Sequence, residues 1–275
     1  MTIRALPGSL RAALAVLGVL AFVPAASQST PRPSQPDASG PPWHYEGATG
    51  PENWGRLSPG FAACSEGRAQ SPIDIVRPTP IAAPALQANF PRAELRIVHH
   101  EHRADSINNG HTIQVNYSEG DTLTVGDARY RLAQYHFHAP SEHAVDGRSF
   151  PMEMHMVHRT EAGRLAVIGV FIDEGRHNVA FDPVWSNLPA EKGAEIHLPA
   201  VTVDVDALLP DARTTYRYDG SLTTPPCSEG VRWFVMTTPI QVSAAQIGRF
   251  TSIISRNNRP VQALNGRAVV TDAIE

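Results

Sequence analysis

Three histidines have the spacing of metal ligands. His136 and His138 stand two residues apart in a run whose alternation predicts a β-strand, so both imidazoles are expected on one face of a sheet. A second predicted strand carries His155 between apolar neighbours. Three neutral imidazoles from two adjacent strands form the protein ligand set of a catalytic zinc site, with the fourth position left to water. The alternative is a set of core histidines or a cross-strand pair, because many strands carry two histidines by chance.

Two polar residues beside these histidines favour the metal site. Gln134 precedes His136 by two residues and Glu153 precedes His155 by two, so each pair shares one strand face. Metal-bound histidines usually donate their second ring N–H to a carboxylate, an amide or a carbonyl. A glutamate buried in an apolar strand is otherwise costly. Three nitrogen ligands without a thiolate favour zinc, although copper or cobalt would also bind such a set.

The elements that must position these residues are mostly strands. Short β-branched or alternating runs bounded by turn residues predict strands over residues 112–117, 122–125, 130–138, 152–157, 165–171 and 231–237. Ser243 is a predicted N-cap for a helix to about residue 254, and residues 178–185 are compatible with a shorter helix. We therefore expect a β-dominated α+β fold, a single domain around a large, mainly antiparallel twisted sheet with short peripheral helices.

The N-terminal residues predict an exported protein. Arg4 and Arg11 precede an apolar run and then small residues, the pattern of a secretory signal peptide over residues 1–26, and cleavage after Ala25 or after Ser27 fits equally. The run is too short to span a bilayer, so no membrane anchor is expected. Residues 27–42 have the composition of a flexible linker. The folded domain is expected over residues 43–275, in the periplasm or secreted.

Charge and cysteine content limit the partners and the redox state. The chain has 23 basic and 27 acidic residues, and loss of the signal peptide leaves 21 basic against 27 acidic, a net charge of −6. That balance argues against a nucleic-acid partner. The two cysteines are Cys64 and Cys227. In an exported protein a single pair most often forms a disulfide, and the alternative is two unrelated free thiols.

Seven segments, in family order, resemble the α-class carbonic anhydrases, and the match runs from Trp43 to about Val270. They are residues 50–55 (GPENWG), 70–75 (QSPIDI), 108–111 (NNGH), 134–138 (QYHFH), 141–143 (SEH), 153–158 (EMHMVH) and 220–227 (GSLTTPPC). Residues 138–143 (HAPSEH) are more similar to bacterial and plant members than to animal ones. The resemblance implies that residues 43–275 are a catalytic domain built on a central, mostly antiparallel sheet.

The resemblance also implies roles for individual residues. The zinc ligands are His136, His138 and His155, with Gln134 and Glu153 as their hydrogen-bond partners. Thr223 accepts a hydrogen bond from zinc-bound hydroxide and donates one to Glu142, and Thr224 stands at the substrate mouth. The residues of the apolar pocket for carbon dioxide are Val157, Val167, Leu222, Val231 and Trp233. The proton shuttle is His111, and the polar groups that order water around it are Tyr45, Asn109 and Gln114. The cysteine pair matches the disulfide of exported members.

The implied reaction is the reversible hydration of carbon dioxide to bicarbonate and a proton, by zinc-hydroxide attack with a histidine proton shuttle and one zinc ion per chain. Sulfonamides and anions are the implied inhibitors, weak esterase activity is compatible with the same chemistry, and bacterial relatives suggest a homodimer.

Two other classes of function remain as alternatives. A binding module would lack a ligand histidine, and all three are present; a zinc hydrolase would need a general base beside the metal, as in His-Glu-x-x-His, which is absent.

Overall fold

The computed structural model describes residues 1–2, 40–81, 87–89, 93–100, 111–116, 122–125 and 128–272. Apart from residues 1–2 and 40–42, the predicted signal peptide and linker lie outside the described residues, as does Asn109. In the part of the chain that is described, no helix is both long and apolar enough to cross a bilayer.

Strands make up most of the described secondary structure. In chain order they are β1 (Asp74–Ile75), β2 (Thr79–Ile81), β3 (Gln87–Asn89), β4 (Ala93–His100), β5 (Thr112–Asn116), β6 (Thr122–Val125), β7 (Ala128–His138), β8 (Ala144–Val145), β9 (Met152–Arg159), β10 (Leu165–Glu174), β11 (Glu195–Val203), β12 (Thr215–Ser221), β13 (Glu229–Met236), β14 (Ile240–Val242) and β15 (Val270–Asp272). The α-helices are α1 (Trp54–Leu57), α2 (Ala63–Glu66), α3 (Asp182–Trp185) and α4 (Ala244–Thr251).

One large sheet forms the centre of the described domain, with the strand order β11-β4-β5-β7-β9-β10-β13-β12-β15-β2. In addition, β6 pairs with β7, β3 pairs with β6, and β14 pairs with β10. Most of its described pairings are antiparallel, but β10–β13, β10–β14 and β15–β2 are parallel. The predicted β-dominated α+β class is confirmed, and the sheet is mixed. The chain leaves β10 and returns to it only after α3, β11 and β12, and such a long crossover allows a parallel neighbour that local patterns do not specify.

The predicted elements occur with small shifts at their ends. Strand β6 has the predicted bounds, β5 ends at Asn116, and β7 begins two residues before the predicted start. Ser243 caps α4 with a capping box, its side chain accepting from the Gln246 N–H. The helix ends at Thr251, short of the predicted residue 254. Residues 179–181 form a 3-10 turn that leads directly into α3.

Alternation along β7 places the candidate site on one face of the sheet. Tyr135 and Phe137 are buried in the larger apolar core, with Met154 and Met156 of β9 beside them. His136 and His138 alternate with these residues and therefore face the opposite side. Packing on both faces explains why β9 and β10 are almost continuously buried.

Candidate metal centre

Strand register brings the three predicted ligands together. His136 lies directly opposite His155 in the antiparallel β7–β9 pair, and His138 lies opposite Glu153. The ring centroids are 5.0 Å apart for His136 and His138, 5.4 Å for His136 and His155, and 4.5 Å for His138 and His155. One ligand nitrogen from each ring lies within 4.8 Å of the others, and His138 and His155 are buried.

Hydrogen bonds fix the tautomer of each ring. His136 Nδ1 lies 2.8 Å from Gln134 Oε1, His138 Nδ1 lies 2.7 Å from the Asn257 carbonyl oxygen, and His155 Nε2 lies 2.9 Å from Glu153 Oε1. These oxygens accept hydrogen bonds, so each of the three nitrogens is the N–H donor. The other nitrogen of each ring, Nε2 in His136 and His138 and Nδ1 in His155, then carries the lone pair that a metal requires.

The chemistry of this set fits a divalent metal. His138 Nε2 is buried and has no hydrogen-bond partner among the described residues, and an orphaned buried nitrogen is costly unless something binds it. A second group, formed by His143, Glu153 and His155, also brings ligand atoms within 4.8 Å. There, however, Glu153 Oε1 already accepts from His143 Nδ1 at 2.7 Å. The three-histidine set is therefore the better metal site.

Glu153 is the anionic partner of these histidines. Its Oε2 accepts the backbone N–H groups of Glu142 and His143, each at 2.9 Å. Burial raises the pKa of Glu153, but its electrostatic interactions and hydrogen bonds with His143 and His155 outweigh that effect and hold the pKa well below its usual range. His143 therefore helps to keep Glu153 ionised, and its own Nε2 lies 2.6 Å from the Tyr218 hydroxyl. The sequence analysis assigned no role to His143, although it named the segment that contains it.

Glu142 and Thr223, predicted to act together, are in contact. The Thr223 hydroxyl hydrogen-bonds the Glu142 carboxylate, whose Oε1 accepts the Arg259 backbone N–H at 2.8 Å. Glu142 Oε2 lies 3.6 Å from His138 Nε2 and 3.7 Å from His155 Nδ1. Burial raises the pKa of Glu142 to about 7, against the opposing effects of His155 and of the hydrogen bonds from Arg259 and Thr223.

The five predicted pocket residues form one apolar cluster beside the histidines. Val167 of β10 lies opposite both Val157 of β9 and Trp233 of β13, so these three side chains are consecutive across the sheet. Val231 is buried in the same cluster and Leu222 packs against it. The Trp233 ring centroid is 4.8 Å from that of His155, so the apolar surface reaches the candidate metal ligands.

The other predicted residues that the structure describes, Tyr45, His111, Gln114 and Thr224, line a cavity of about 80 Å³. Its lining residues are Trp43, Tyr45, His111, Thr112, Gln114, Gln134, His136, His138 and Thr224. The predicted proton shuttle, His111, is buried, with only 3 % of the residue exposed. Its ring stacks on Trp43 at 3.6 Å between centroids and 8° between planes. No sequence pattern indicates this stacking, because the two residues are far apart in the chain.

The disulfide supports the loop that carries Thr223 and Thr224. Cys64 of α2 and Cys227 are bonded, with their Cα atoms 5.0 Å apart, and the Cys227 N–H donates to the Thr224 carbonyl at 2.8 Å. The expected pairing is therefore present, and it anchors this loop to the helices at the start of the domain.

The fold and the site define a β-sheet protein with a group of three histidines that could hold a metal ion. Residues 49–273 match the family described as eukaryotic-type carbonic anhydrase. The chain is 42 % identical to a carbonic anhydrase of Nostoc sp., over 83 % of this chain and 85 % of the relative, and 43 % identical to one of Neisseria gonorrhoeae, over 83 % and 87 %.

Solved structures agree with the sequence comparisons. The α-carbonic anhydrase from Thermovibrio ammonificans in complex with the inhibitor sulfanilamide superposes with a TM-score of 0.78 at 42 % identity, over 84 % of this chain and 99 % of that one. Dioscorin complexed with ascorbate superposes with a TM-score of 0.75 at 30 % identity, over 84 % and 98 %. The chain belongs to the eukaryotic-type, or α-class, carbonic anhydrase family and is an enzyme of that family. Membership implies the reversible hydration of carbon dioxide.

Proposed function

We propose that this enzyme hydrates carbon dioxide reversibly at one zinc ion held by His136, His138 and His155. The observation that carries the proposal is the arrangement of the three rings: each donates one N–H to a fixed acceptor, and one ligand nitrogen from each ring lies within 4.8 Å of the others. When bound, zinc would lower the pKa of a coordinated water to about 7, the value established for carbonic anhydrase itself.

Glu142 and Thr223 select and orient the ligand that would bind next to the three histidines, such as water or hydroxide. When ionised, the Glu142 carboxylate can only accept, so the Thr223 hydroxyl must use its single proton in that bond. The Thr223 oxygen then presents only lone pairs to the site. A ligand at that position is stabilised if it can donate a hydrogen bond to the Thr223 oxygen. We propose that its remaining lone pair then faces the apolar cluster.

The apolar cluster holds the other reactant. Carbon dioxide is apolar and weakly electrophilic, so a pocket without polar side chains binds it in place of water. Val157, Val167, Leu222, Val231 and Trp233 provide that surface, and Trp233 reaches His155. The Trp233 N–H is satisfied by the Ser221 carbonyl, to which it donates at 3.0 Å.

His111 accepts and passes on the proton that the reaction releases. Imidazole is the side-chain group best suited to taking up and releasing protons in catalysis near neutral pH. His111 lines the same cavity as His136 and His138, so water that fills this cavity would connect them. Tyr45 and Gln114 line it as well and supply polar groups that order the water, and Asn109 is proposed to do the same.

A stopped-flow assay of carbon dioxide hydration tests this function. The purified enzyme is measured as isolated, after removal of metal with a chelator, and after re-addition of zinc. Activity that disappears with the metal and returns with zinc supports the proposal. A fully active protein that contains no metal by elemental analysis would overturn it, and a zinc-loaded protein without hydration activity would leave only the fold in common with the family.

Sulfonamides and small anions are the proposed inhibitors. A deprotonated sulfonamide nitrogen still carries one N–H, which Thr223 can accept when the ligand occupies the site. The relative from Thermovibrio ammonificans is itself in complex with sulfanilamide. We also propose weak hydrolysis of activated esters as a side activity. If both reactions use the same site, a sulfonamide should inhibit ester hydrolysis and carbon dioxide hydration at the same concentration.

Export is the proposed location, with residues 1–26 as the signal peptide, 27–42 as a linker and 43–275 as the catalytic domain. The Cys64–Cys227 disulfide supports it, because such bonds persist in oxidising compartments, and the bacterial relatives are compatible with it. N-terminal sequencing of protein recovered from the periplasm or medium locates the cleavage site; full-length protein retained in the cytosol would contradict export. The homodimer stays a prediction, checked by sedimentation.

A further inference from the structure

His111 lies between two cavities. The inner cavity, of about 80 Å³, is the one lined by His136 and His138. The outer cavity has a volume of about 170 Å³ and is lined, besides His111, by residues 44–46, Lys192 and residues 253–257. His111 and Tyr45 line both. Because the pKa of Tyr45 is raised well above its usual range by burial, His111 is the shared group suited to proton exchange at neutral pH.

Because His111 is almost completely buried, it contacts solvent only through the cavities that it lines. The ring is 3 % exposed and is covered on one face by Trp43. Its backbone carbonyl accepts the Asn257 side-chain N–H at 2.9 Å, which holds the start of β5 in place. Because His111 lines both cavities, a proton that reaches it from the inner cavity can be passed to the outer one.

The outer cavity is rich in groups that attract an anion. Lys192 and Arg256 are exposed cations that line it, and the carboxylate of Glu46 opposes them. The Arg256 Nε–H donates to Asn258 Oδ1 at 2.9 Å, which orients the guanidinium, whose other four N–H groups are on its terminal nitrogens. His44 also lines the cavity, with its ring centroid 6.4 Å from that of His111, close enough for one bridging water.

We propose that the outer cavity is the port through which protons leave, and that it binds the anionic proton acceptor, an oxyanion such as hydrogen phosphate, between Lys192 and Arg256. In the transfer, an N–H bond of the His111 imidazolium breaks, directly or through His44 and water, and an O–H bond forms on the anion. Hydrogen phosphate becomes dihydrogen phosphate and His111 becomes neutral again. The proposal rests on the function proposed above, since it concerns the release of the proton that hydration produces.

The test compares two kinds of buffer in the zinc-loaded enzyme. The double variant Lys192→Gln/Arg256→Gln removes both cations, and Arg68→Gln/Arg129→Gln removes two exposed charges that line neither cavity. The kcat for carbon dioxide hydration is measured against phosphate concentration and against imidazole concentration at constant ionic strength. We expect the phosphate concentration that gives half-maximal kcat to rise at least about fivefold in the first variant only. The imidazole dependence and kcat/KM should not change.

A binding measurement that does not depend on activity accompanies the kinetics. The imidazole NMR signals of His44 and His111 are followed while inorganic phosphate is added, in the wild type and in both double variants. We expect saturable shifts in the wild type and the control, and their loss in Lys192→Gln/Arg256→Gln. Unchanged phosphate dependence together with unchanged NMR titrations would overturn the port, and equal losses with phosphate and imidazole would show that the two cations only maintain the shape of the site. A wild type that hydrates no carbon dioxide in any buffer would refute the proposed function, while the NMR titration would still decide whether phosphate binds.

Discussion

Glu153 Oε1 lies 2.9 Å from His155 Nε2, and both side chains are buried. An ionised carboxylate can only accept, so this contact keeps His155 in the Nε2–H tautomer and its lone pair on Nδ1. Glu153 is ionised because the neighbouring histidines hold its pKa well below the usual range despite burial. The carboxylate therefore determines which nitrogen of His155 is offered to a metal.

Glu153→Gln should weaken zinc binding by about 10–100-fold. The amide has no charge, and one of its two terminal groups is a donor that would face the donors of His143, His155 or the backbone. The dissociation constant is measured by competition with a chromophoric chelator. Glu161→Gln, at a side chain that is 92 % exposed, is the control. Equal affinities in wild type and Glu153→Gln would refute the role given to the carboxylate.

His136→Ala should lose zinc, whereas His143→Gln should keep one zinc per chain. The two candidate ligand groups share His155, so His155→Ala abolishes metal binding in either case and does not distinguish them. His136 belongs only to the three-histidine group, and His143 only to the group with Glu153. Metal content after dialysis is measured by elemental analysis. Retention of zinc by His136→Ala and its loss from His143→Gln would favour the second group.

His111→Ala should lower kcat at least about tenfold in dilute buffer and leave kcat/KM nearly unchanged, since proton release follows hydration. A group with a pKa near 7 releases protons to water at about 10³–10⁴ per second. The rate established for carbonic anhydrase, about 10⁶ per second, exceeds that limit and needs a shuttle. Stopped-flow assays with added imidazole should recover much of the loss. Equal falls in kcat and kcat/KM without rescue would mean that His111 only shapes the cavity.

Local patterns in the sequence were enough to predict the residues that alternation brings to one face. The pairs Gln134–His136 and Glu153–His155 are separated by two residues, and each forms the expected hydrogen bond. The acceptor for His138 is different, because it is a backbone carbonyl 119 residues away, at Asn257. Any residue type has such a carbonyl, so no side-chain pattern identifies it.

The other features that the sequence did not predict depend on contacts between segments that are distant in the chain. The Arg259 N–H that binds Glu142 is 117 residues away from it, and Trp43, which covers His111, comes from the start of the domain. The direction of β13 beside β10 likewise depends on the path of the whole chain between them. The resemblance to a known family supplied residue roles, but the burial of His111 required the structure.

Removal of the disulfide in a Cys64→Ser/Cys227→Ser variant should lower the free energy of unfolding by roughly 2–4 kcal/mol. The bond closes a loop of 163 residues, for which chain entropy alone predicts about 5 kcal/mol, and measured effects often fall short. Urea unfolding of zinc-loaded protein measures the difference, with the wild type under reducing and oxidising conditions as the comparison. A double variant as stable as the oxidised wild type would show that the bond contributes little.

The imidazole of His158 should make the metal-free protein less stable as the pH falls from 6.5 to 4. The side chain is fully buried, with Nδ1 2.8 Å from the Met156 carbonyl oxygen. Burial lowers its pKa from 6.5 to about 4, only partly opposed by hydrogen bonds to the Met156 and Ala166 carbonyls. Between these values the unfolded chain binds a proton that the folded protein does not, so the stability is complete above pH 6.5 and is lost as the pH falls.

The shift corresponds to about 3 kcal/mol for this one group, and a His158→Asn variant isolates it. Asparagine retains an N–H near the Met156 carbonyl but does not titrate, so the variant should lose less stability than the wild type between pH 7 and pH 4. The effect of His158 is the difference between the stability losses of the wild type and the variant. The wild-type curve alone does not isolate it, because burial also lowers the pKa of His138 to about 4 in the absence of metal. Urea unfolding at pH 4, 5, 6 and 7 measures both proteins, and His177→Asn, at a half-exposed histidine, is the matched control. Parallel curves for the wild type and His158→Asn would mean that folding does not lower the pKa of His158.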